Sequence, residues 1–161
     1  MGVVYVGVGE YATSNKPDTI IRTMALGSCV AIITFAPKHR AVGLIHIALP
    51  DSKSNQKRAL EKPGYFADTG IPVLLKEMQQ YGCDLRRDLK IKIIGGASIM
   101  DNNNIFNIGK KNLLAIRKIL WKYKLGPIAQ HVEGKISRTV SVTPIDLIVR
   151  ISSPGRGEWT I

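Results

Sequence analysis

Long apolar runs are missing from this sequence. The longest, Val30 to Ala36, is already interrupted by Thr34, far short of the roughly 20 residues that a membrane-spanning helix needs. Cysteine is scarce: Cys29 and Cys83 stand far apart among 161 residues, in no CxxC or Cys/His ligand spacing. That argues against a disulfide framework and a structural zinc site, so both are expected as free thiols in a reducing compartment. Aromatic residues make up only 6% of the chain, too few for a row of base-stacking platforms. Acidic residues number 12 against 23 lysines and arginines, a net charge of +11. The opening residues show no basic stretch followed by an apolar run, and position 6 is Val where a myristoylation signal after Gly2 needs Ser or Thr. A cytoplasmic location is the expectation.

What is present suits a folded chain. Hydrophobic residues reach 45% and charged residues 22%, too apolar a balance for intrinsic disorder. With no repeat, low-complexity tract or linker, residues 1–161 are expected to form one domain. The basic excess is uneven: +2 over residues 1–50, +3 over 51–100 and +6 over 101–161. Such a bias favours acidic partners without choosing among nucleic acid, anionic lipid and protein.

The β-branched opening Val3–Val8 reads as a strand, and Thr19–Thr23 as another. Ser28–Phe35 and Ala41–Leu49 are near-continuous apolar runs on either side of Pro37-Lys38-His39-Arg40, a hairpin buried on both faces. Pro50 to Gly64 is polar and aperiodic, the mark of a mobile surface loop. Ile71, Leu74, Leu75, Met78 and Tyr81 fall at helical spacing, with Asp68 or Thr69 as cap, Pro72 in the first turn and Gly82 as the stop. Leu89–Ile94 reads as a strand ending in Gly95-Gly96-Ala97-Ser98. A second helix is expected from about Asn107 to Lys124, with Leu113, Ile116 and Leu120 inward and Lys111, Lys118 and Lys122 on the opposite face. Ile136–Thr143 and Ile145–Ile151, flanking Pro144, read as a closing antiparallel pair. About eight strands and two helices point to an α+β fold with mixed or antiparallel sheets and the helices on one side.

Cys29 follows Gly27-Ser28 where a loop enters a buried strand, and His46 interrupts the next apolar run. A tight hairpin turn makes Cys29 face His46; a longer one shifts the two to a diagonal. Either register brings a thiol near an imidazole. A His⁺ beside a cysteine lowers its pKa from about 8.5 and yields a thiolate, and the same ring can protonate a leaving amine. Gly27 lets the chain bend so that backbone N–H groups can hold an oxyanion, and the Thr23 hydroxyl can orient the imidazole. On residue type alone, a packed thiol and a hydrogen-bonded core histidine are the commoner explanation of the pair. Cys83 reads as packing, and His39 and His131 receive no role. Gly95-Gly96-Ala97-Ser98 lacks the spacing of a phosphate loop.

Several segments, in order along most of the chain, resemble the CheD family of chemoreceptor glutamine deamidases. They are Gly7-Val8-Gly9-Glu10-Tyr11, Leu26-Gly27-Ser28-Cys29-Val30, His46-Ile47-Ala48-Leu49-Pro50-Asp51-Ser52, Pro63-Gly64-Tyr65-Phe66-Ala67-Asp68, Gly95-Gly96-Ala97-Ser98 and Asn107-Ile108-Gly109. The resemblance implies an α/β/β layered sandwich carrying a Cys-His-Thr hydrolase, with Cys29 as nucleophile, His46 as acid and base and Thr23 positioning His46. It implies protein-glutamine deamidation without metal or organic cofactor, and methyl-ester hydrolysis in some members. The implied partners are the cytoplasmic domains of methyl-accepting chemoreceptors and, for many members, the phosphatase CheC. Ala25 departs from the family pattern, which often has Gly there, and no motif matches beyond the second helix. Two other classes stand beside this reading: a regulatory module that docks to receptor or CheC, and a nucleic-acid-binding domain resting only on the basic excess.

Overall fold

The computed structural model describes residues 2–99 and 106–161. Among these, the elements run β1 (Gly2–Tyr5), β2 (Tyr11–Ser14), β3 (Thr19–Leu26), β4 (Val30–Ala36), β5 (Ala41–Ile47), a short α1 (Gln56–Glu61), α2 (Ala67–Gln79), β6 (Lys90–Gly95), α3 (Ile108–Lys122), β7 (Pro127–Val132), β8 (Arg138–Val142), β9 (Arg150–Ser153) and β10 (Gly157–Thr160). The strands form two sheets, ordered β1-β3-β8-β9-β10 and β2-β5-β4-β6-β7. Both are mixed, since β1 runs parallel to β3 and β7 parallel to β6, while the other neighbours are antiparallel.

Alternation along β4 gives the layering. Val30, Ile32 and Ala36 pack with Ile71, Leu74 and Met78 of α2 and with Leu113, Ile116 and Leu120 of α3. Ala31, Ile33 and Phe35 pack instead with Ile21, Leu26, Val140 and Ile151 of the other sheet. The sheet containing β4 and β5 is therefore the middle layer, helices on one face and a sheet on the other, as an α/β/β sandwich requires. Every residue of β4 and β5 is buried, as their unbroken apolar runs predict. Each fully buried Ile or Leu there contributes about 1.5–3 kcal/mol.

Several sequence expectations need correction. Residues 50–64 are built rather than loose: a 3₁₀ turn at Ser52–Ser54, α1, and a second 3₁₀ turn at Pro63–Tyr65. The Asp51 side chain accepts from the Lys53 N–H at 2.8 Å, and that of Asn55 from Arg58 at 3.0 Å. Since α1 buries no residue, capping alone marked it. Helix α2 starts at Ala67, so Pro72 is its sixth residue and not in the first turn. Asp68 does not cap it but holds Ser52, accepting from its N–H at 2.9 Å and its hydroxyl at 2.6 Å. Residues 143–149 are not strand: the Asp146 carboxylate accepts from the Ile148 N–H and bonds Arg150 at 2.8 Å, leaving Ile145 61% exposed. Strands β2, β7 and β10 were not foreseen, and β1 stops at Tyr5. Lys111, Lys118 and Lys122 lie exposed on α3 as expected, with Leu114 and Trp121 beside them at 56% and 79% exposure.

Candidate active site

The turn between β4 and β5 sets the register that matters. Pro37–His39 form one 3₁₀ turn, and Arg40 adopts a left-handed φ of 46° to close it. Ala36 then pairs with Ala41, so Ala31 faces His46. The tight-turn register is thereby overturned, and the longer-turn alternative holds. Cys29 lies one step beyond Ala31 on the same face, diagonal to His46, within the span that such neighbours bridge.

His46 points between the sheets and is 3% exposed. Its Nδ1 lies 2.7 Å from the Thr23 hydroxyl on β3, itself 1% exposed. The Thr23 hydroxyl also donates to the Val6 carbonyl at 2.6 Å. A carbonyl only accepts, so the single hydroxyl proton goes to Val6 and Thr23 must accept from the ring. The imidazole therefore carries its proton on Nδ1. Its Nε2 is buried with no hydrogen-bond partner among the described residues, leaving a lone pair on the other edge of the ring. The backbone of His46 is gripped by the segment before β2: its N–H donates to Glu10 O at 3.1 Å, and its carbonyl accepts from Gly9 N at 2.8 Å.

Burial lowers the pKa of His46 to about 4, with the Glu10 carboxylate acting in the opposite direction. Burial also raises the Cys29 thiol above its ordinary value, opposed by a hydrogen bond from its own backbone N–H. The sequence reading supposed an imidazolium holding a thiolate. Desolvation penalises both charges, so it favours a neutral thiol beside a neutral imidazole.

Cys29 is the member that reaches solvent. It lines a cleft of about 580 Å³, with Gly27 and Ser28 beside it and Ile99, Ile108 and Gly109 opposite. Residues 97–99 and the start of α3 form the rest of the described lining, to which 50–64 contributes nothing. The turn that carries Cys29 is tied down by its carbonyls. Gly27 O accepts from Ala97 N at 2.9 Å and Cys29 O from Gly96 N at 2.9 Å. Ser28 O accepts from the Asn112 side chain at 3.0 Å. Gly95, with φ 116°, passes so close to Cys29 O that no side chain fits there.

Asn112 and Glu10 were not singled out from the sequence. Asn112 stands four residues before Ile116 and one turn after Ile108, on the buried stripe of α3, a polar residue at a core position and hence legible in principle. Cys83 is packing, as expected: it is 6% exposed and its thiol donates to Met78 O at 3.2 Å. His39 bonds Asp88, and His131 accepts from Arg138, both away from the cleft.

Ala25 sits in the register shift of β3 between Thr23 and Leu26 with a left-handed φ of 56°. Its Cβ opposes that conformation, which a glycine adopts freely. Ala25→Gly is expected to stabilise the fold by about 1 kcal/mol, the gain net of the extra freedom of the unfolded chain. Denaturant titration of the two proteins checks it.

A family model described as CheD chemotactic sensory transduction matches residues 48–153, and a full-length relative from Syntrophotalea carbinolica is 48% identical over 100% of both chains. The chain belongs to the CheD family. That relative is named a probable chemoreceptor glutamine deamidase CheD. A second, from Syntrophus aciditrophicus and named a probable chemoreceptor glutamine deamidase CheD 1, is 40% identical over 87% of each chain. The family match starts two residues after His46, so only the longer alignments extend over Thr23, Cys29 and His46. A crystal structure of the Bacillus licheniformis hypothetical protein YfiH covers 78% of this chain and 49% of its own, at 11% identity and a TM-score of 0.46, too distant to bear on the chemistry.

Proposed function

We propose that this CheD-family chain deamidates glutamine side chains of chemoreceptor cytoplasmic domains, with Cys29 as nucleophile, His46 as base and acid, and Thr23 positioning the ring. The observation that carries the reading is the Thr23–His46 pair, which leaves Nε2 without a partner among the described residues on the sheet face that His46 shares with Cys29, and Cys29 in turn lines an open cleft. In the first half-reaction the Cys29 sulfur bonds to the glutamine side-chain carbonyl carbon while its proton passes to His46 Nε2. The resulting oxyanion lies near the N–H groups of Ser28 and Cys29. His46 then returns the proton to the amide nitrogen, the C–N bond breaks, and ammonia leaves a thioester. In the second half, His46 takes a proton from water, hydroxide adds to the thioester carbon, and the C–S bond breaks. The sulfur recovers its proton and glutamate is left. The same route admits a receptor methyl ester, with methanol as leaving group.

The test is mass spectrometry of a receptor cytoplasmic domain co-expressed with the protein. Each converted glutamine adds ~1 Da, the exchange of NH₂ for OH that this chemistry requires. Unchanged receptor masses at full expression of both proteins would refute the assignment.

Thr23→Val keeps the volume of the threonine but removes the acceptor for Nδ1–H. The buried donor is left unpaired, and stability should drop by about 1–3 kcal/mol. Turnover should fall by less than the ~10²-fold expected for loss of the imidazole, because packing still holds the ring near Cys29. Thermal denaturation and deamidation rates on the same preparation check both.

A further inference from the structure

Beyond Val30 and Ile47 the ladder between β4 and β5 ends. The chain before Val30 turns to other partners, Cys29 O and Gly27 O accepting from Gly96 and Ala97, and after Ile47 the Ala48 N–H turns to Tyr65 O. Among the described residues, no backbone bond joins Ser28 or Cys29 to Ala48. The base is thus still within the ladder, paired with Ala31, while Cys29 lies just past its end, and the position of the one against the other needs a tie beyond the last β4–β5 pair.

One side chain spans the gap. Asn112 is 0% exposed, and its Nδ2 donates to Ser28 O at 3.0 Å and to Ala48 O at 3.0 Å. Both acceptors are carbonyls, so the nitrogen must face them, and each of its two protons has a partner. Ser28 directly precedes the nucleophile, and Ala48 lies two residues beyond the base. We infer that Asn112 is a positioning residue, a side-chain rung that replaces the missing backbone rung and sets the distance between Cys29 and His46.

The residue type follows from the two-carbonyl grip. The Asn112 Oδ1 is buried with no partner among the described residues, which is unfavourable. A leucine of similar shape would remove that orphan acceptor but leave the Ser28 and Ala48 carbonyls without their donor, so the amide is kept for its two protons and not for its oxygen. Helix α3 also carries Ile108 and Gly109 of the cleft wall, so the same residue ties that wall to the nucleophile turn.

The inference rests on the Cys-His reading above, and its test separates the two. Asn112→Leu removes the grip while keeping the same number of side-chain heavy atoms and the branch at Cγ. In deamidation of the receptor domain, kcat should fall by about 10²-fold, as a misplacement of about 1 Å between reacting groups produces, while KM stays within about twofold. Without substrate, iodoacetamide should label Cys29 with an altered pH profile, and Cys83 in the same molecule should keep its parental profile. A folded variant with parental kcat and a parental Cys29 profile overturns the inference, even if less stable, because stability alone is what a structural role predicts. Should Asn112→Leu fail to fold, the same readings are taken on Asn112→Ser, which shortens the reach and leaves room for relaxation. A parent protein that never deamidates sinks the functional assignment, whereas the labelling profile still reports on Asn112.

Discussion

Cys29→Ala is expected to reduce deamidation to background, a loss of at least about 10⁶-fold if the enzyme achieves only the lower end of enzymatic accelerations. The proposed route from glutamine to glutamate runs through a covalent thioester, and no other described side chain of the cleft wall is a thiol on the sheet face of a buried imidazole. The fold should tolerate the change. Cys29 is half-buried at the mouth of a cleft, so the deleted sulfur leaves space that water can enter rather than a closed cavity. Cys83→Ala, remote from the cleft, should keep parental turnover while giving up a thiol packed in the helix-side core. Iodoacetamide gives an independent reading. At neutral pH Cys29 should alkylate ahead of Cys83: burial raises both thiols, but Cys29 opens on the cleft while Cys83 is 6% exposed and is raised further by Asp88 and Asp84. Receptor deamidated at the parental rate by the Cys29 variant would end the covalent mechanism.

How much of this was legible beforehand depended on which force shaped each segment. The central hairpin was legible because burial on both faces leaves an unbroken apolar run, and β4 and β5 are the middle of three layers. Helices α2 and α3 were legible from apolar periodicity, which packing against that sheet enforces. What failed had little burial behind it. Helix α1 covers no core, β10 is an exposed edge, and β7 is an edge strand opening on a proline that reads as a helix stop. The apolar stretch Ile145–Val149 alternates like a strand, yet Asp146 turns its backbone. At the site, residue types and order brought Thr23, Cys29 and His46 together, but the register of the last two hung on a left-handed Arg40 that no spacing rule supplies. The neutral state of the pair was equally hidden, since it follows from burial between two sheets. Asn112 joins Ser28 to Ala48 across separations of 84 and 64 residues, contacts that only the assembled layers reveal.

His46→Ala should lower turnover by at least about 10²-fold, the lower end for loss of a group that serves as both base and acid. Its titration offers a second measurement. Held at about 4 in the fold against 6.5 when solvated, the ring stays neutral where the unfolded chain takes up a proton. Stability is therefore full above 6.5 and falls with pH through that window, by up to about 3 kcal/mol once both states are protonated. The alanine variant lacks this contribution, so the difference in unfolding free energy between parent and variant should shift in the variant's favour from pH 7 to pH 4. Catalysis should follow the same group. The free enzyme needs an uncharged Nε2, so kcat/KM should hold on its plateau well below pH 6.5 and fail only as His46 protonates or the fold gives way. An acid limb at the value of a solvated imidazole, with stability differences flat over the same range, would mean that the ring is not sealed between the sheets. The tautomer set by Thr23 would then no longer be fixed, and the neutral pair would lose its physical basis.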